Sequence, residues 1–142
     1  MILVDVNLLI YAVNEDAALH RKAKAWLEDT ISGPETVGFS WNVLLAFLRL
    51  TTRPGVFRNP LPLETAFDVI ASWLDQPSAI VVHAGSRHLR VLRELLLPMG
   101  SGGNLTSDAH LAALAIEQGA VLCSSDNDFT RFHGLKWSNP TA

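Results

Sequence analysis

The sequence predicts an α/β fold built on a short, mainly parallel sheet of four to five strands, and three observations lead there. Four brief runs rich in β-branched and aliphatic residues, "ILVDV" (2–6), "TVGF" (36–39), "AIVVH" (79–83) and "AVLCS" (120–124), are spread along the chain. Between successive runs lies at least one segment with apolar residues at three- and four-residue steps, so the strands are joined by helical crossovers and run parallel. No internal repeat, low-complexity tract or linker divides the 142 residues, which read as one domain, 1–142, with 49% hydrophobic residues for its core.

The elements follow in order. Residues 2–6 form a buried strand bounded by the polar Asn7, with Asp5 inside an otherwise apolar run. In "DAALHRKAKAWLEDTI" (16–31), Ala18, Leu19, Ala23, Trp26, Leu27 and Ile31 share a helix face while Arg21, Lys22, Lys24 and Glu28 fall between them. Gly33 and Pro34 end that helix. After the second strand, Ser40 is placed to cap the helix "WNVLLAFLRLTT" (41–52), which has almost no polar face and should be largely buried. Three prolines and a glycine make 53–62 a loop leading to the amphipathic helix 63–75, whose Glu64, Asp68 and Asp75 form a solvated face. The third strand is followed by a helix over 86–97 that ends before Pro98, then by the Gly-rich loop "MGSGGN" (99–104). The helix "TSDAHLAALAIEQ" (106–118) stops at Gly119, and a fifth strandlet is expected at 135–137 after the fourth strand.

Composition restricts the function. The single Cys123 removes any internal disulfide framework or multi-thiolate metal site and fits a reducing, cytoplasmic setting. No basic segment precedes the first apolar run, and no stretch approaches the roughly 18 apolar residues that a membrane span requires. A net charge of −3 and a pI near 5.9 give no global attraction to nucleic acid, so such binding must rest on local arginines and on bound cations.

Asp5 raises the chemical question, because an unpartnered buried carboxylate costs several kcal/mol, on the order given for buried ions. Open α/β sheets build their sites at the carboxyl ends of the strands, where Asp5 sits. Asp126 and Asp128 follow directly on "AVLCS", and Asp108 lies in the first turn of the helix 106–118. If the first and fourth strands are neighbours, these acids share one rim, repel one another and favour a proton or a cation. Oxygen-only donors select a hard divalent ion, Mg²⁺ or Mn²⁺ rather than Zn²⁺. Taken singly, Asp108 also reads as a helix-start residue and Asp126 and Asp128 as turn formers. His20, His83, His88, His110 and His133 show no ligand spacing and read as surface or satisfied polar groups, and the four tryptophans suit a core or an interface.

The pieces "VDVNLLIYA", "WNVLLAFLRLTT", "GNLTSDAHLAALAIEQGA" and "LCSSDNDFTRF" together resemble a PIN-domain protein, specifically a VapC-type toxin ribonuclease, over nearly the whole chain. The resemblance implies a PIN-like α/β/α sandwich, Mg²⁺- or Mn²⁺-dependent endonuclease action on RNA, a homodimer, and neutralisation by a VapB-type antitoxin. It matches Asp5, Asp108 and Asp126 to the family's metal-binding acids and Asp128 to a supporting acid. Asn7 and Ser124 match the polar residues that support the cluster. Arg49, Arg53 and Arg131 are the arginines expected to meet RNA phosphates. One departure is visible: many members carry a Glu in the middle helix, where this sequence offers Ala46, with Asn42 and Arg49 one turn to either side. A catalytically weakened module that binds antitoxin or RNA is therefore the rival. A phosphohydrolase with Asp5 as covalent nucleophile would want an Asp where Asn7 stands, and a phosphate-receiver domain would want a strand-end Lys, for which only Lys136 is near.

Overall fold

The computed structural model describes residues 1–142. Its sheet has five parallel strands, β1 (Ile2–Val4), β2 (Val37–Ser40), β3 (Ala79–Val82), β4 (Val121–Cys123) and β5 (Trp137–Ser138), in the order β3-β2-β1-β4-β5. Six helices connect them: α1 (Val6–Val13), α2 (His20–Ile31), α3 (Trp41–Thr51), α4 (Leu63–Leu74), α5 (His88–Leu96) and α6 (Thr106–Gln118). Short 3-10 turns lie between α5 and α6 and follow β4. The α/β class is as the sequence indicates.

β1 and β4 are hydrogen-bonded neighbours, with Val4 opposite Cys123. The next residues, Asp5 and Ser124, therefore leave the sheet side by side at its carboxyl edge. All four β2 residues are buried, so both faces of the sheet are covered, as a parallel sheet requires. Gly38 lies at the tightest point of that strand, because a Cβ there would meet the Val82 side chain at 2.7 Å and Leu3 at 3.2 Å.

The helices pack in two groups, α1 with α2 and α3, and α3 with α4, whereas α5 packs on α6. Trp73 of α4 stacks on Phe39 of β2 at 6.2 Å between ring centroids and meets Phe47 of α3 edge-on at 5.0 Å. That triad seats α3 over the sheet. Truncating the fully buried Phe47 to Ala would remove about 3–5 kcal/mol. Gly119 ends α6 with φ +63° in the left-handed region, where a residue without Cβ carries no strain.

Three expectations are corrected. The first strand ends at Val4, and "VNLLIYAV" is a helix, because the Asp5 side chain accepts a hydrogen bond from the Val6 amide and caps it. Leu8, Leu9, Ile10 and Ala12 are all buried, so the segment lacks the polar stripe that marks a surface helix. Second, Ser40 occupies the position before α3 but its hydroxyl makes no capping bond and instead donates to Asn42 Oδ1 at 2.5 Å. Third, the fifth strand is Trp137–Ser138 rather than 135–137, so Lys136 precedes it and lies at the opposite edge of the parallel sheet from Asp5, in keeping with the rejection of a receiver domain.

Candidate functional site

Asp5 is 8% exposed and both of its carboxylate oxygens are engaged. Oδ1 accepts from the Val6 amide and Oδ2 from the Ser124 hydroxyl, each at 2.7 Å. The fully buried Ser124 is the hub of the network. Its oxygen donates to Asp5 and accepts from Asn7 Nδ2 at 3.1 Å and from the Asp126 amide at 3.0 Å, which uses all of its hydrogen-bonding capacity. Asn7 closes the ring by accepting from the Ser125 amide at 3.4 Å. Asp126 stands at the start of the 3-10 turn 127–131 and accepts from the Asp128 amide at 2.9 Å. The turn-forming reading of Asp126 is realised, and a carboxylate accepting one amide still retains lone pairs.

Asp108 comes to the same rim from the first turn of α6. Burial, and then the charges of Asp5, Asp126 and Asp128, raise its carboxyl to about 6. Asp5 is also shifted upward, chiefly by burial, against the opposing effect of its bonds to Ser124 and Val6 and with a further push from Asp126. None of the structure's ion pairs involves these four aspartates. The charge is held without a basic partner.

A groove of about 410 Å³ opens beside the cluster, lined by Asp5, Ser107, Asp108, Asn42, Ala46 and Arg49 among others. Asn42, Ala46 and Arg49 fall on one face of α3, so the position of the missing Glu faces this groove. Arg49 supplies a positive charge along its wall. Arg53 and Arg131 are exposed outside the lining, Arg53 in the loop after α3 and Arg131 at the end of the 3-10 turn. Ser107 was not singled out from the sequence, although its place next to Asp108 in the first turn of α6 was the available signal.

The donor set fits a hard divalent ion, being made of carboxylate oxygens that repel one another and form no ion pair. It is not a closed cage. No three or more His, Cys, Asp or Glu side chains converge tightly enough to hold an ion by themselves. An ion such as Mg²⁺, which keeps several of its waters and takes only one or two carboxylates directly, suits such an open arrangement.

The PIN domain family model matches residues 2–135. The chain is 47% identical over 142 residues to Ribonuclease VapC37 of Mycobacterium tuberculosis, covering 100% of this chain and 99% of that protein. It is 43% identical over 140 residues to Ribonuclease VapC33 of the same organism, covering 99% and 98% of the two chains. The fold is similar to that in the crystal structure of VapBC2 from Rickettsia felis bound to a promoter DNA fragment, with a TM-score of 0.72, 21% identity and 98% coverage of each chain. With an acidic rim at the carboxyl edge of a five-stranded parallel sheet and relatives matched end to end, this chain belongs to the PIN-domain family, within its VapC branch.

Proposed function

We propose that the chain is an endoribonuclease toxin of a type II toxin-antitoxin system that hydrolyses RNA phosphodiester bonds with Mg²⁺ or Mn²⁺ at the aspartate cluster. The observation that carries this reading is the juxtaposition of four carboxylates, without a basic partner, beside an open groove whose wall bears Arg49. The full-length likeness to two proteins named as ribonucleases supports the reaction class.

Asp5, Asp108 and Asp126 would hold the ion, directly or through its waters. When bound, it supplies a water of lowered pKa and neutralises charge growing on the scissile phosphate. Ser124 fixes the Asp5 carboxylate by its hydroxyl, and Asn7 fixes Ser124, so the acids are aimed before substrate arrives. Asp128, exposed on the turn after β4, orients the attacking water or takes its proton. Arg49 engages a phosphate in the groove, and Arg53 and Arg131 extend that contact outside it. Such contacts position the strand without reading its sequence.

The relation to a partner follows from the surface. Trp41 and Leu45 on α3 are 49% and 55% exposed, and Leu63 and Phe67 on the adjoining α4 are exposed as well. Apolar side chains presented this way suit a protein partner, here a cognate VapB-type antitoxin, and the family's homodimer is the assembly we expect. A basic side chain inserted by the antitoxin would compete with the cation for the carboxylates. No helix is long and apolar enough to cross a membrane, and the buried free thiol of Cys123 accords with a cytoplasmic enzyme.

Incubation of the purified protein with total RNA tests the proposal. Cleavage is expected with Mg²⁺ or Mn²⁺, and is expected to be lost with a chelator, in Asp5→Asn, and under saturating antitoxin. Undiminished cleavage in chelator would overturn the metal-dependent reading. No cleavage by the wild type under any divalent ion would favour the weakened binding module, for which the absent Glu at Ala46 is the argument.

A further inference from the structure

Away from the acidic groove, the seam between α5 and α6 holds a second group of ionisable side chains. His88 opens α5, while His110 and Glu117 lie two turns apart on one face of α6. His88 Nδ1 meets Glu117 Oε1 at 2.7 Å, and His88 Nε2 meets His110 Nδ1 at 2.8 Å. The Glu117 side chain is 5% exposed and that of His88 14%. The other Glu117 oxygen accepts from the Gly85 amide at 2.8 Å, and the Arg87 guanidinium donates to the Glu117 carbonyl at 2.9 Å. The two imidazole rings cross at 77° with centroids 4.8 Å apart.

Hydrogen-bond chemistry assigns the protons. An ionised Glu117 only accepts, so His88 carries its proton on Nδ1 and presents a lone pair at Nε2. His110 then donates from Nδ1 into that lone pair. A carboxylate behind one imidazole nitrogen is the support that metal-binding histidines use to fix tautomer and ring orientation, and here the opposite nitrogen is engaged only by His110. We infer that His88 Nε2 and His110 Nδ1 form a binding site for Zn²⁺ between α5 and α6, with Glu117 as the positioning carboxylate and water completing the coordination.

Zinc binding requires the two rings to part and to tilt, so that both lone pairs turn from each other onto the ion. Two nitrogens bound to one tetrahedral zinc at about 2.0–2.1 Å stand about 3.3 Å apart, so the pair must open by about half an ångström. His110 moves its proton from Nδ1 to Nε2, which leaves the ring neutral and releases no net proton. The nitrogen donors distinguish this site from the all-oxygen groove, which favours harder ions. Two direct protein ligands make it an open site, with water filling the remaining positions. Zinc there would clamp α5 onto the helix whose first turn carries Asp108.

Zinc titration of the full chain in excess Mg²⁺, which occupies oxygen sites without competing for imidazole, tests the inference. Binding is read by competition with a chromophoric chelator and by imidazole ring resonances in NMR. One equivalent of Zn²⁺ is expected to shift the His88 and His110 rings together. His88→Gln and His110→Gln should each weaken binding at least about tenfold, and Glu117→Gln by about tenfold, the scale of losing a supporting partner. Uptake that leaves both rings unmoved, or equal uptake by the two histidine variants, would overturn it. Because the ring resonances are read in the wild type, poor folding of a variant leaves the outcome decided.

Discussion

The acidic groove and the α5–α6 seam are both built from ionisable residues, yet they treat charge in opposite ways. At the seam, buried Glu117 is answered by His88, the Gly85 amide and, through its carbonyl, Arg87. At the groove, Asp5 is answered by neutral donors alone, and Asp108 is raised to about 6 by burial and by like charges. The seam meets its one carboxylate with hydrogen bonds and has the Arg87 guanidinium close by. The groove is left with excess negative charge in a partly dry setting, a state that folding alone does not favour and that a divalent cation relieves.

Substitutions that remove this asymmetry should have the largest effects. Asp5→Asn and Asp108→Asn are expected to lower RNA cleavage by about two to three orders of magnitude, the scale of losing one group that stabilises a transition state. His88→Gln in the seam should leave cleavage within a few-fold of wild type. Parallel initial-rate measurements with a labelled RNA would check the pair, and equal losses on both sides would erase the distinction.

Ser124→Ala should produce the next largest change. It strips the hydroxyl that orients Asp5, leaves Asn7 Nδ2 and the Asp126 amide without an acceptor, and should cost about 10- to 100-fold in activity. Stability should fall by about 1–3 kcal/mol in a denaturant melt, as expected when buried polar groups lose their partner.

Ala46→Glu sharpens the comparison from the other direction. Ala46 lines the groove with Asp5 and Asp108, so a carboxylate there adds a donor to the cation site. Calorimetric titration should show Mn²⁺ or Mg²⁺ binding about tenfold more tightly, with the variant less stable without metal and restored by it. Destabilisation that excess metal fails to rescue would mean that the new carboxylate is turned toward the core.

The smallest effect is on the pH dependence of the metal-free protein. The folded state holds the Asp108 proton up to about 6, whereas the unfolded chain releases it near 3.8, so the folded state binds more protons between those values. Its contribution to stability is therefore full below about 4 and is lost as pH rises through about 6. Asp108→Asn should remove that downward slope from thermal melts recorded across this window. The variant should consequently gain stability relative to wild type at neutral pH in the absence of metal.

Much of this was legible in the sequence because periodicity and strand ends carry it. The crossover pattern gives the parallel sheet, and α6 runs over the span that its repeat indicates, from Thr106 to the glycine that stops it. Asp5, Asp126 and Asp128 follow the ends of strands that prove to be β1 and β4, adjacent in the sheet, and residue order alone suffices to bring them near. Helix α1 was hidden because a short helix with four buried residues in eight has no polar stripe and continues directly from an apolar strand. The Ser40 hydroxyl misled because a local competitor, Asn42 Oδ1, takes its hydrogen. The histidine seam was invisible for a different reason: His88 and His110 are separated by 22 residues and meet only when α5 packs on α6. The seven-residue spacing of His110 and Glu117 was the only local trace of it.

Mn²⁺ binding followed by the electron paramagnetic resonance of the free ion tests most directly whether the groove's excess charge is kept for a cation. The wild type is expected to bind Mn²⁺ at the groove, with binding lost in Asp5→Asn and in Asp108→Asn and unchanged in His88→Gln. Equal Mn²⁺ uptake by the wild type and both aspartate variants would contradict the assignment, since the unpaired carboxylates would then have no part in holding the ion.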